Sequence, residues 1–62
     1  MEFQDLKTIY SPERETLCVD SEGKIVAEHT IGFLCTRPVT DYGMRKVAEH
    51  TDRHTDILVK FE

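Results

Sequence analysis

The side chains of widest chemical range in this chain are His29, His50, His54, Cys18 and Cys35. His50 and His54 stand four residues apart, a spacing that on a helix turns both imidazoles toward one side. With a carboxylate from Asp52 or Asp56 they would make a three-ligand metal site. The plain alternative is a pair of solvated histidines near a helix C-terminus, where the dipole favours positive charge. Neither cysteine has a finger-type spacing to a histidine, and there is no Cys-x-x-Cys. His29 and Cys35 are roughly 20 Å apart if the strand between them is extended, too far to share an ion. A metal-binding mini-domain through His50 and His54 is therefore a third-ranked reading, and no cofactor is expected.

Catalysis has less support still. His29 faces Glu15 in the expected hairpin, which could orient a base, but a core-edge histidine satisfied by Glu15 explains the pattern as well. No nucleophile or oxyanion loop accompanies it, and Gly23, Gly32 and Gly43 are isolated rather than gathered in a phosphate loop. The expectation is a protein that is not an enzyme.

Positioning these residues is the work of a few short elements. Asp20-Ser21-Glu22-Gly23-Lys24 separates two β-rich runs, with Gly23 where a three-residue hairpin loop wants a left-handed residue. Asp20 then faces Lys24, Val19 faces Ile25, Cys18 faces Val26, Leu17 faces Ala27, Thr16 faces Glu28 and Glu15 faces His29. Period-two sorting puts Leu17, Val19, Ile25, Ala27, Ile31, Phe33 and Cys35 on an inward face. Thr16, Cys18, Val26, Glu28, Thr30, Gly32 and Leu34 fall on a mixed face.

Pro38 ends that strand. Thr40 or Asp41 offers an N-cap for a helix running to about Arg53, with Met44, Val47, Ala48 and Thr51 as its inward stripe. Val39 and Met44 would form a hydrophobic staple over Thr40, and Asp41, Arg45, Glu49 and Arg53 an alternating charge ladder. Ile57, Val59 and Phe61 share one face of a terminal strand. Near the N-terminus, Leu6, Thr8 and Tyr10 alternate as a strand, while Phe3, Leu6 and Ile9 fit a helical turn; the strand is preferred because it enlarges a small sheet. The expectation is one α+β domain over residues 1–62, β-β-β-α-β, an antiparallel sheet with one helix on one face. Val26-Ala27-Glu28-His29-Thr30 recurs as Val47-Ala48-Glu49-His50-Thr51. The flanking patterns predict strand for the first copy and helix for the second, so the echo reads as coincidence.

Composition narrows the function classes. The chain has 62 residues, 8 Lys+Arg against 12 Asp+Glu, and a formal net charge of -4. A chain this short buries only about 60% of its unfolded surface, so a lone copy is marginal. No apolar run approaches the ~18 residues of a membrane span, and Met1 to Lys7 show no leader pattern, so no membrane association and a cytoplasmic setting are expected. The acidic balance works against nucleic acid, which usually selects a basic excess. Ile31-Gly32-Phe33-Leu34 is similar to part of the aromatic strand motif of RNA-recognition motifs, although the basic residue before the glycine is missing. A nucleic-acid reading would use Phe33 with Arg37, Arg45, Lys46 and Arg53.

The leading reading is a small interaction protein, a regulator, inhibitor or accessory subunit, that binds a partner protein through a sheet edge or face. Cys18, Val26 and Leu34 of the mixed face, with Leu58 of the terminal strand, form the expected contact patch. A second copy covering it would give a homodimer. Cys18 and Cys35 fall on opposite sheet faces and cannot meet a disulfide's short Cβ separation. Intact-mass spectrometry after alkylation in denaturant without reductant should therefore show two modified thiols. A species two hydrogens lighter and unalkylated would refute this.

Overall fold

A computed structural model describes residues 1–36 and 42–62. Four strands, β1 (Glu15–Val19), β2 (Ile25–Thr30), β3 (Val47–Asp52) and β4 (Ile57–Phe61), form one sheet in the order β2-β1-β4-β3. A short helix, α1 (Ile31–Thr36), and an N-terminal 3-10 helix (Phe3–Thr8) complete the fold. The class is α+β, a sheet with one α-helix packed on it, as the sequence predicts. The sheet is mixed rather than wholly antiparallel, because β1 and β4 run parallel while β1–β2 and β3–β4 are antiparallel.

The β1–β2 turn forms as expected. Asp20 N–H donates to the Lys24 carbonyl at 2.9 Å, and Gly23 adopts φ 86°, the left-handed conformation that costs glycine nothing. Asp20 Oδ1 accepts from the Glu22 and Lys24 amides at 2.9 Å each and fixes the loop. Register starts as predicted, Val19 opposite Ile25, and then slips by one: Cys18 faces Ala27, Leu17 faces Glu28, Thr16 faces His29 and Glu15 faces Thr30. Val26 is the bulged residue, and a bulge inverts the alternation that period-two sorting relies on. Ile25 and Ala27 accordingly fall on opposite faces.

On β1 and at Ile25 the expected inward face proves to be the outward one, whereas Ala27, Ile31 and Cys35 of that set stay on the core side, Ala27 because of the slip. Ile57, Val59 and Phe61 are the strongest alternating set in the chain, and all three are 0–1% exposed. β1 pairs with them in parallel, Thr16 beside Ile57 and Cys18 beside Val59. Thr16 and Cys18 are thereby drawn into the core, and Leu17 and Val19 are turned away from it. Cys18 is 0% exposed and Leu34 4%, so neither can contribute to the contact patch expected from the sequence.

Two further elements differ from expectation. Residues Phe3–Thr8 form the 3-10 helix and not a strand, with the Glu2 amide donating to Asp5 Oδ2 at 2.9 Å. Three residues per turn align Phe3 with Leu6, and both are wholly buried. The predicted helix to Arg53 is instead a strand from Val47 onward, and Met44, expected to point inward, is 51% exposed; Arg37, Pro38, Val39, Thr40 and Asp41, with the expected cap and the Val39 side of the staple, lie outside the described residues. The α-helix lies earlier, where the sequence suggests a continuing strand. Its start is marked by Thr30, whose Oγ1 accepts from the Phe33 amide at 3.1 Å as an N-cap does. Gly32 allows the segment before β1 to approach: its amide donates to the Pro12 carbonyl at 2.8 Å, and a Cβ there would meet that oxygen at 3.1 Å.

Phe3, Leu6, Ile31 and Leu34 from the helices pack on Cys18, Val47, Ile57, Val59 and Phe61 from the sheet. Phe61 is the hub: its ring meets Phe3 at 5.9 Å, Tyr42 at 6.4 Å, and the Arg45 guanidinium at 4.1 Å. Met1 to Gln4 bind the chain just before β3, through Phe3 N–H to the Arg45 carbonyl and Val47 N–H to the Met1 carbonyl. The β3–β4 turn places His54 at φ 78°, a conformation disfavoured for a residue with a Cβ and held by its amide donating to Asp52 Oδ1.

Strand geometry separates two neighbouring substitutions. Val47 is 4% exposed opposite Phe61, so Val47→Asp should abolish the cooperative thermal transition by burying an unpaired charge. Ala48 is exposed at a bulge, and Ala48→Asp should shift the melting temperature by only a few degrees. Equal damage from both in circular-dichroism melts would contradict the strand.

Candidate interaction surface

The helices occupy one side of the sheet; among the described residues no element covers the other. Principal extents of 27 × 26 × 18 Å agree with two layers, since a third would add about 10 Å. The pairings define two rows across this open face. One runs Glu28, Leu17, Leu58, Thr51 and the next Ile25, Val19, Lys60, Glu49, in the order β2, β1, β4, β3. Glu15 and Thr30 continue the face beyond the first row. Leu17, Val19 and Leu58 are half-buried against one another, and Ile25 is 61% exposed. The result is an apolar strip centred on β1, with the carboxylates of Glu15, Glu28 and Glu49 and the ammonium of Lys60 around it.

Of the four residues expected to form a contact patch, only Leu58 lies on this face. Val26 is the half-buried bulge residue, its carbonyl accepting from the Tyr42 hydroxyl at 3.3 Å. Period-two sorting places Leu17, Val19 and Ile25 in the core; which side of β1 is buried is set by its pairing with β4, some forty residues away, which local alternation does not reveal.

The histidines do not converge. His50 lies on β3, which ends at Asp52, and His54 in the turn beyond it, so the helical spacing that would join them does not exist. His50 Nδ1 lies 2.8 Å from the Tyr10 hydroxyl, with the two rings edge to face. His54 occupies the β3–β4 turn. Among the described residues no group of three His, Cys, Asp or Glu is placed to hold a metal ion. His29 pairs in register with Thr16, not Glu15; Thr16 Oγ1 donates to the His29 carbonyl at 2.6 Å, and the imidazole stacks on Phe33 at 3.6 Å. The two copies of the Val-Ala-Glu-His-Thr echo are thus both strands, on opposite edges of the sheet, each with its histidine against an aromatic ring.

The residues of the nucleic-acid reading are dispersed. Phe33 lies on α1, Arg45 over Phe61, Lys46 is 3.7 Å from Glu2, and Arg53 Nε donates to Asp56 Oδ1 at 2.7 Å. Arg37 lies outside the described residues. A third ion pair, Arg14 to Asp52 at 2.7 Å, ties the segment before β1 to the end of β3, with the Arg14 guanidinium also 5.9 Å from the Tyr10 ring centre. The Glu2–Lys46 and Arg14–Asp52 pairs are clasps between segments, and Arg53–Asp56 closes the β3–β4 turn. The cysteines are free: Cys18 is buried, with Sγ 3.7 Å from Thr16 Oγ1, and Cys35 is half-buried. Burial pushes both thiols up.

What the geometry defines is a two-layer α+β domain with an acid-bordered sheet face that none of the described elements covers. Comparison with known families, curated proteins and solved structures finds no match. No helix among the described residues is long and apolar enough to cross a membrane.

The clasps set a pH dependence. The Arg14 guanidinium and then the His54 amide hold Asp52 below the usual carboxylate range; Arg53 does the same for Asp56, and the Lys24 amide for Asp20. A carboxylate with a depressed folded pKa contributes stability that is full above its unfolded value of about 3.9 and is lost as pH falls through the folded one. The melting temperature should hold from neutral pH to about 5 and drop below about 4. Asp52→Asn should lower the neutral-pH melting temperature and flatten the acid limb. An acid limb unchanged in that variant would remove Asp52 from the account.

Proposed function

We propose that this chain is a small non-enzymatic interaction protein, a regulator, inhibitor or accessory subunit, that occupies a partner protein's surface through the open face of its sheet. One observation carries the reading: Leu17, Val19, Leu58 and Ile25 stand together in adjacent rows with no described element over them. Contiguous apolar surface on a small domain marks a site of association. The surface is flat, which suits a macromolecule better than a small molecule, whose sites are concave. The acid border favours a protein partner over a polyanion such as nucleic acid.

The test compares variants on the two sides of the sheet. Leu17→Lys adds charge to the open face without entering the core, whereas Lys7→Glu changes an exposed residue of the 3-10 helix. Each protein is immobilised and exposed to native lysate of its source, and retained proteins are quantified by mass spectrometry. A protein kept by the wild type and by Lys7→Glu but lost from Leu17→Lys is the expected result. Loss from Lys7→Glu instead, with Leu17→Lys unaffected and folded, would move the surface to the helical side.

A further inference from the structure

Resting on that reading, we infer that the occupant of the open face is an amphipathic, cationic helix of a partner protein, laid along β1. The reasoning starts from hydrogen bonding. The face of a sheet offers side chains and no backbone groups, so whatever lies on it must satisfy its own peptide groups. A helix does so within one segment. Its width of about 10 Å matches the two strand spacings, roughly 9.6 Å, that separate β2 from β4 across the apolar strip. The two rows that carry Leu17 and Val19 are about 6.8 Å apart along β1, little more than one helical turn. Two turns of an i, i+3, i+4, i+7 apolar stripe cover them.

Charge selects among helices. Glu28 borders the strip on the β2 side, Glu49 on the β3 side, and Glu15 lies at the end beyond Leu17. Lys60 is the only cation in the two rows and stands opposite Glu49 in register. Lys or Arg on both flanks of the stripe would meet Glu28 and Glu49 while the stripe covers Leu17, Val19, Leu58 and Ile25. A second copy is the poorer fit. It would bring the same three carboxylates to the interface, on a chain whose net charge is already -4.

The probe is a synthetic helix of about 18 residues, acetylated and amidated, with Leu along one stripe and Lys on both flanks. A matched peptide carries Glu for Lys, and the full-length protein is titrated with each while backbone amide NMR shifts are followed. The expected result is saturable binding of the cationic helix only, with the largest shifts at Leu17, Val19 and Leu58. Glu28→Lys should weaken it about two- to fivefold, the range of an exposed ion pair. Leu17→Lys should abolish it, with Leu58→Thr as the substitute if Leu17→Lys lowers the melting temperature. Equal binding of the anionic peptide, or shifts confined to the helical side, would overturn the inference. So would a dimer in sedimentation that Leu17→Lys dissolves, since a second copy would then be the occupant. If lysate capture depends on Leu17 but the cationic helix does not bind, the helix is refuted and the open face stands. If neither depends on Leu17, both fall.

Discussion

The parallel pairing of β1 with β4 holds this molecule together. Each hairpin alone is a two-stranded ribbon, marginal in water. Placed side by side through their inner strands, they make a four-stranded sheet whose centre joins residues some forty positions apart, Thr16 with Ile57 and Val19 with Lys60. Because a parallel neighbour shares its face, the pairing also decides which side chains of β1 enter the core. Ile57, Val59 and Phe61 are the dominant apolar set, and β1 follows them. Thr16 is the one buried polar residue among those described, and it enters with its hydroxyl satisfied by the His29 carbonyl.

The outer strands show the same constraint from the other side. The Val-Ala-Glu-His-Thr echo occupies both edges, and each copy carries a bulge, at Val26 in β2 and at Ala48 in β3. Bulges twist an edge and interrupt its row of free peptide groups. At the β3 edge the N-terminal residues add direct cover through the Glu2–Lys46 bridge. With its edges bulged and one face packed, the sheet keeps an apolar strip on the Leu17 face that no described element covers.

Side-chain clasps complete the division between core and surface. Tyr10 with His50, Arg14 with Asp52, and Arg45 over Phe61 each join segments far apart in sequence. None of them brings a nucleophile, base and oxyanion donors together. The first two hold the N-terminal part of the chain against the C-terminal hairpin. A 62-residue domain needs such ties because its core contains few large side chains.

By itself the sequence determined what depends on neighbouring residues. The Gly23 turn, the first register pair Val19–Ile25, the Ile57–Val59–Phe61 alternation, the α+β class and the acid balance all follow from local chemistry. The terminal strand was readable because its period is uninterrupted. Only tertiary structure decided the rest. Residues 47–52 have apolar positions that fit a helix, yet pairing with β4 makes them a strand, because the hydrogen bonds of a ladder and the burial of Val47 on Phe61 outweigh weak helical propensity. Likewise Thr30 caps a helix only because the Pro12–Arg14 segment accepts the Ile31 and Gly32 amides. The open face was hidden for the same reason. Leu17 and Val19 look like core by alternation, and a partner strand forty residues away decides their side. Alternation tells which residues share a face; which face is buried is settled by what packs against it.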